Sequence, residues 1–308
     1  MQVINDLTSL NTPLAATIGN FDGVHLGHQA LLETLIGQAK QRGLQSAVVS
    51  FEPSPQEHFL GANAPARLTR LEEKVALLGD TGVDYFIVLP FDAELANLPA
   101  EQFVQDILQQ CLHINYLLIG DDFHFGKNRL GNYALLQSMA SEAFAVENLP
   151  TERLYGERIS SSRIRLALEE GDLVTAERLL GRPYSMLGSV AHGEQRGRTI
   201  GFPTANIHLE RHRSPVLGVY AVKVFGIGSQ VVYGVANVGN RPTVDGTRSL
   251  LEVHLFDFDA DIYGAALKVV FCHKVRDEQR FASFEVLKEQ IQRDMGVAKK
   301  YFQINEPT

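Results

Sequence analysis

Two short stretches of the chain concentrate residues suited to gripping phosphate. The first is Gly19-Asn20-Phe21-Asp22-Gly23-Val24-His25-Leu26-Gly27-His28. Gly23 and Gly27 let backbone N–H groups approach a ligand closely. His25 and His28 can donate hydrogen bonds to phosphate oxygens, and more strongly as negative charge builds in a transition state. The second runs from Gly188-Ser189-Val190-Ala191-His192-Gly193 through Gly197-Arg198-Thr199-Ile200-Gly201-Phe202-Pro203-Thr204-Ala205-Asn206. Here Gly188, His192, Gly193, Gly197, Arg198, Gly201 and Pro203 form a loop that can wrap phosphates with backbone donors. Thr204 and Asn206 would share one side of an extended strand. Their neutral oxygens suit Mg2+, which accepts such ligands alongside phosphate and water.

Further groups fit the same chemistry. Arg158-Ile159-Ser160-Ser161-Ser162-Arg163-Ile164-Arg165 offers hydroxyls at a helix N-cap and three arginines for a polyphosphate. Glu252 stands in the apolar stretch Leu250–Leu255, where a carboxylate is costly unless it is used or paired. That makes it the candidate base for a hydroxyl proton. Gly120 to Gly126-Lys127-Asn128 has the wrong spacing for a Walker loop and lacks the hydroxyl after lysine.

The elements that must position these groups differ between the two halves. Ala15–Gly19, Ala47–Phe51, Tyr85–Leu89 and Tyr116–Ile119 read as strands, separated by helical patterns such as His28–Gly43. Such alternation implies a parallel sheet with right-handed crossovers. Ser162–Glu170 and Leu173–Leu180 read as short helices. From Pro183 the strands Gly188–Ala191, Gly218–Phe225, Val231–Asn237, Leu250–Phe258 and Leu267–Cys272 follow closely, with Gly, Pro, Asn and Asp between them. That texture suggests a small barrel or sandwich closed by the amphipathic helix Phe284–Met295. The expected domains are residues 1–183 and 184–308.

The Gly23–His28 element resembles the signature of the nucleotidyltransferase superfamily. Residues 17–32, TIGNFDGVHLGHQALL, resemble more narrowly the adenylyltransferase module of bacterial bifunctional riboflavin kinase/FAD synthetases. Phe51–Pro55, Gly120–Phe123 and Arg158–Arg165 follow in the family's order. The second half is similar to the riboflavin kinase module through Gly218–Tyr220, Gly234–Thr243 and Leu251–Leu255. The resemblance implies a Rossmann-like nucleotidyltransferase domain followed by an antiparallel β-barrel with a C-terminal helix. It implies that ATP phosphorylates riboflavin to FMN, and that a second ATP adenylylates FMN to FAD with release of pyrophosphate. His25 and His28 would hold the α- and β-phosphates. Gly19, Asn20, Phe21, Asp22, Gly23, Gly27, Asp122, Arg158, Ser161 and Ser162 would line that nucleotide site. Glu252 would be the kinase base, Thr204 and Asn206 the Mg2+ ligands, and Arg276 and Phe281 part of the flavin cover. His124, Asn128 and Ser54 depart from residues common in the family, and none holds a catalytic role.

Composition sets the remaining bounds. The 308 residues are 45% hydrophobic and 21% charged, with a formal net charge of −8. The acidic balance argues against a general nucleic-acid or anionic-membrane partner, and against an RNA-dependent ligase built on the same histidines. Cys111 and Cys272 form no CxxC pair, so neither a zinc site nor a disulfide framework is expected. No signal-peptide profile or spanning apolar run is evident, which makes the cytoplasm the expected location.

Overall fold

The computed structural model describes residues 1–5, 12–150, 153–154, 157–191, 204–209, 211, 213–243 and 246–305. The chain forms two compact units. One comprises Met1–Pro65 with Thr69–Ser161, the other Ala66–Leu68 with Ser162–Thr308.

The first unit is built on a parallel sheet. Its strands are β1 (Gln2–Ile4), β2 (Leu14–Ile18), β3 (Gln45–Glu52), β4 (Tyr85–Pro90), β5 (Ile114–Gly120) and β6 (Ala145–Leu149), in the order β1-β4-β3-β2-β5-β6. Residue alternation splits the apolar strands between two cores. Ala16, Ile18, Val49, Ile87, Leu117 and Ile119 face one side. Ala15, Val48, Phe86, Tyr116 and Leu118 face the other, against Leu32, Leu35 and Ala39 of helix α1 (Leu26–Arg42). Burial on both faces is why these strands read as continuous apolar runs. Gly43, at φ 66°, caps α1 and turns the chain into β3. The chain builds outward from β2 through β3 to β4, then returns to place β5 on the other side of β2. The carboxyl end of β2 is therefore the topological switch point, where open α/β sheets bind ligands. Helices α2 (Pro55–Leu60) and α3 (Leu71–Gly79) lie between β3 and β4.

The second unit is a closed antiparallel barrel. β9 (Ser185–Ala191), β10 (Ala205–His208), β11 (Gly218–Phe225), β12 (Val232–Thr243), β13 (Gly246–Leu255) and β14 (Ala266–Arg276) close in the order β10-β13-β12-β11-β14-β9. Two-residue strands β7 (Arg153–Leu154) and β8 (Glu157–Arg158) pair separately in the first unit. Tyr220, Val222, Ala236, Val238, Leu251, Val253, Val269 and Phe271 are buried in the barrel unit. The helix Phe284–Asn305 packs Ala298 and Phe302 on Val219, Ala221 and Val235. The helices Ser161–Glu170 and Leu173–Leu180 precede the barrel, and from Ser162 onward the chain groups with it.

Candidate functional site

The first site grows from the β2–α1 connection. Phe21 and Val24 have φ of 47° and 39°, and Gly23 lies between them at 85°. A bulky or β-branched residue resists that left-handed region, so the surroundings must hold the loop in place. They do so through Thr69. Its backbone N–H donates to Asp22 Oδ1 at 2.9 Å, and its Oγ1 accepts from the Gly23 N–H at 2.9 Å. Ser161 Oγ donates to the Asp22 carbonyl at 2.8 Å, and Gln29 Nε2 to the Val24 carbonyl at 2.9 Å.

This loop delivers both histidines. His25 is the N-cap of α1, and its Nδ1 accepts from the His28 N–H at 3.3 Å. As an acceptor Nδ1 carries no proton, which leaves Nε2 as the ring's donor. The His25 and His28 rings stack with centroids 3.6 Å apart and planes 13° from parallel. Phe21 leans on His28 at 4.8 Å. Burial, the neighbouring His25 and the Lys74 ammonium hold the His28 pKa well below its ordinary 6.5. His28 Nδ1 is buried with no hydrogen-bond partner among the described residues. Lys74, on α3, is buried, with Nζ 3.5 Å from Ser50 Oγ on β3.

Other expected residues lie in the same unit, except Ser162, which groups with the barrel unit. Gly19 packs beneath Phe21, where a Cβ would lie 3.2 Å from the ring, and Asn20 follows it half-buried. Asp122 and Arg158 form an ion pair. Ser162 is exposed in the first turn of the helix Ser161–Glu170. The sequence reading missed Thr69, Lys74 and Ser50, which act through contacts far apart in the chain. It also missed an aromatic cluster beyond the carboxyl ends of β3 and β4. There Phe51, His58, Phe59 and Phe91 meet edge to face at 5.2–5.9 Å, with Phe59 66% exposed.

The second site lies on the barrel. Along β13, Leu251, Val253 and Leu255 are buried, while Leu250, Glu252 and His254 alternate to the outer face, half-buried. Glu252 is in register with Asn206 of β10 and with Asn237 of β12. Cross-strand partners share a face, so two amides flank the carboxylate. Asn237 is in register with Val219, and Val219 with Arg276, so Arg276 ends the same row. Its guanidinium binds both Asp294 oxygens at 2.9–3.0 Å and lies 5.4 Å from the Phe281 ring centroid. Thr204 is half-buried just before β10. Gly188 sits within β9, where a Cβ would come within 2.5 Å of the His208 carbonyl oxygen. The close passage of β10 excludes any side chain there. His192, Gly193, Gly197, Arg198, Gly201 and Pro203 lie outside the described residues.

Comparison with known proteins agrees along the whole chain. A family model described as FAD synthetase matches residues 7–163, and one described as riboflavin kinase matches residues 180–302. A bifunctional riboflavin kinase/FMN adenylyltransferase of Haemophilus influenzae is 50% identical, covering 98% of this chain and 99% of its own. Its counterpart in Escherichia coli K12 is 49% identical over 94% of this chain and 93% of its own. Among solved structures, a Streptococcus pneumoniae protein described as a macrolide-efflux protein superposes with a TM-score of 0.80. It is 31% identical and covers 97% of this chain and 98% of its own.

Proposed function

The chain belongs to the bifunctional riboflavin kinase/FMN adenylyltransferase family, and from that premise we propose which residues carry each of its two reactions. It phosphorylates riboflavin to FMN and adenylylates FMN to FAD, with ATP as co-substrate and ADP and pyrophosphate as by-products. We assign adenylylation to residues 1–183 and phosphorylation to residues 184–308.

In adenylylation an FMN phosphate oxygen attacks the α-phosphorus of ATP, and the bond to pyrophosphate breaks. No protein nucleophile is required, so positioning and charge stabilisation do the catalytic work. His25 donates from Nε2 to the triphosphate, and His28 donates beside it. Gly19–Gly23 and Gly27 let the backbone close on the phosphates at the start of α1, where the helix dipole favours negative charge. Asp122, Arg158, Ser161 and Ser162 complete the nucleotide site. The rings of Phe51, His58, Phe59 and Phe91 offer the isoalloxazine a stacking surface.

In phosphorylation Glu252 accepts the riboflavin 5′-hydroxyl proton, the freed oxygen attacks the γ-phosphorus, and ADP leaves. The observation that carries this assignment is the register of Glu252 between Asn206 and Asn237. Asn206 lies beside that carboxylate and Thr204 just before the same strand; their neutral oxygens are a donor set that fits Mg2+, which these two residues would hold. Bound Mg2+ would neutralise charge on the transferring phosphates. Gly188, within β9, leads into His192, Gly193, Gly197, Arg198, Gly201 and Pro203, which we assign to wrapping the ATP phosphates. Phe281, backed by Arg276, borders the flavin. Among the described residues no helix is long and apolar enough to cross a membrane. Two free thiols and an ATP-fed reaction fit the reducing cytoplasm.

Flavin chromatography tests the division. Glu252→Gln should abolish FMN formation and leave FMN-to-FAD conversion intact. His25→Ala with His28→Ala should stop the chain at FMN. Equal loss of both reactions in either variant would refute the assignment.

A further inference from the structure

Three consecutive carbonyls just before Thr69 accept hydrogen bonds from side chains of the barrel unit. Residues Ala66–Leu68 group with that unit, whereas Pro65 before them and Thr69 after them belong to the sheet unit. Arg165 Nε, on the helix Ser161–Glu170, donates to the Ala66 carbonyl at 2.7 Å. Arg211 Nη1 donates to the Arg67 carbonyl at 2.6 Å and to the Leu68 carbonyl at 3.2 Å. The Tyr184 hydroxyl donates to the Leu68 carbonyl at 3.1 Å and accepts from Arg211 Nη1 at 3.3 Å. Leu68, Tyr184 and Arg211 are all buried. A guanidinium out of water is costly unless it is well bonded, and a charged donor holds its acceptors more strongly than a neutral one. Tyr184 is itself fastened to β14. Its carbonyl accepts from the Phe271 N–H at 3.0 Å, and its ring stacks on Phe271 with centroids 5.9 Å apart.

Thr69 is the next residue in the chain, and it carries both bonds that hold Asp22 and Gly23 of the β2–α1 loop. On its other side the Arg70 N–H donates to the Glu73 carboxylate at 2.6 Å and starts α3. The backbone is therefore pinned before Thr69 and after it. Hydrogen bonds weaken steeply with distance and angle, so Thr69 meets its two partners only while its own backbone stays in place. The barrel closes through its six strands without residues 66–68, so its closure does not account for these bonds. We propose that Tyr184 and Arg211 are positioning residues for adenylyl transfer, although both lie in the stretch matched to riboflavin kinase. They hold the Leu68 carbonyl, and through the Leu68–Thr69 peptide they fix Thr69 on the loop that presents His25 and His28.

The proposal rests on the assignment of the β2–α1 loop to adenylyl transfer, and its test separates the two. His28→Ala that leaves FAD formation untouched overturns that assignment. In the full-length chain, Tyr184→Phe keeps the ring on Phe271 and removes only the hydroxyl. It should cut FAD formation about fivefold, with riboflavin phosphorylation by the same sample unchanged. Arg211→Met should cut FAD formation about 30-fold; if it does not fold, the tyrosine variant carries the test. Amide hydrogen exchange gives a readout apart from activity. Residues 19–27 should exchange at least about tenfold faster in Tyr184→Phe, while β11 stays as slow as in the parent. A double-mutant cycle tests the route. Tyr184→Phe combined with Thr69→Val should lose no more FAD formation than Thr69→Val alone, because both act on one element. Losses that multiply in the double variant would overturn the proposal. So would unchanged exchange over residues 19–27, or phosphorylation falling in parallel with FAD formation. Unchanged FAD formation in Tyr184→Phe, where His28→Ala abolishes it, would overturn the proposal alone.

Discussion

Gly27 lies directly against the His25 ring: a Cβ at position 27 would stand 3.3 Å from His25 Nδ1 and 3.4 Å from Cε1. The same Nδ1 accepts the His28 N–H. Gly27→Ala should therefore disturb the imidazole rather than the helix, where alanine is the better former by about 1 kcal/mol. FAD formation should drop roughly tenfold by initial rate, at one pKa-unit equivalent of lost positioning, while riboflavin phosphorylation is kept. An unchanged rate with an unchanged melting curve would show that the ring position does not matter.

Thr69 holds the strained loop from outside. Thr69→Val removes the acceptor of the buried Gly23 N–H and the hydroxyl beside Asp22 Oδ1. An unsatisfied buried donor costs about 1–3 kcal/mol. Phe21, Gly23 and Val24 need that support to stay at positive φ. The variant should lose FAD formation and melt earlier, with the activity loss exceeding what the unfolded fraction explains. Activity falling only in step with unfolding would make Thr69 purely structural.

What the sequence made legible follows from where the determinants lie. The β2–loop–α1 motif is local, so glycines, histidines and the apolar spacing of Leu32, Leu35 and Ala39 announced it. Five of the six barrel strands were visible from their turn residues. β1, β6 and β10 were not, being short or carrying exposed polar residues. The face of Glu252 was ambiguous because Leu250, though apolar, points outward opposite Gly239. Lys74 and Thr69 gave no local signal, since their meaning depends on Ser50, His28, Asp22 and Gly23, which only folding brings near.

The depressed His28 pKa has a consequence for stability. The unfolded chain binds a proton at His28 below about pH 6.5, whereas the folded chain resists it. Unfolding therefore takes up a proton in that window, and stability falls as pH falls from 6.5 towards the lower folded pKa. The limiting slope from this one group is about 1.4 kcal/mol per pH unit. Denaturant unfolding followed by circular dichroism should show a decline between pH 6.5 and 5.5. His28→Phe should flatten it; an identical slope in that variant would assign the decline to other groups.

The barrel's outer row ends in a partly buried ion pair, and that pair separates structural from catalytic contributions. Asp294 is 3% exposed, accepts both nitrogens of Arg276, and also accepts from Gln290 Nε2 at 2.8 Å. Asp294→Asn leaves the partly buried guanidinium without its counter-charge, at a cost of about 1–3 kcal/mol. The urea midpoint for loss of riboflavin phosphorylation should fall accordingly, while FMN-to-FAD conversion keeps its midpoint. Replacing both partners, Asp294→Leu with Arg276→Met, removes the desolvation penalty along with the attraction, so stability should return close to the parent value. Activity then decides the role of Arg276. If its charge only fastens the helix to β14, the double variant phosphorylates riboflavin at the parent rate. If Arg276 also holds Phe281 over the flavin, as their 5.4 Å approach suggests, the restored fold will carry a raised KM for riboflavin with little change in kcat.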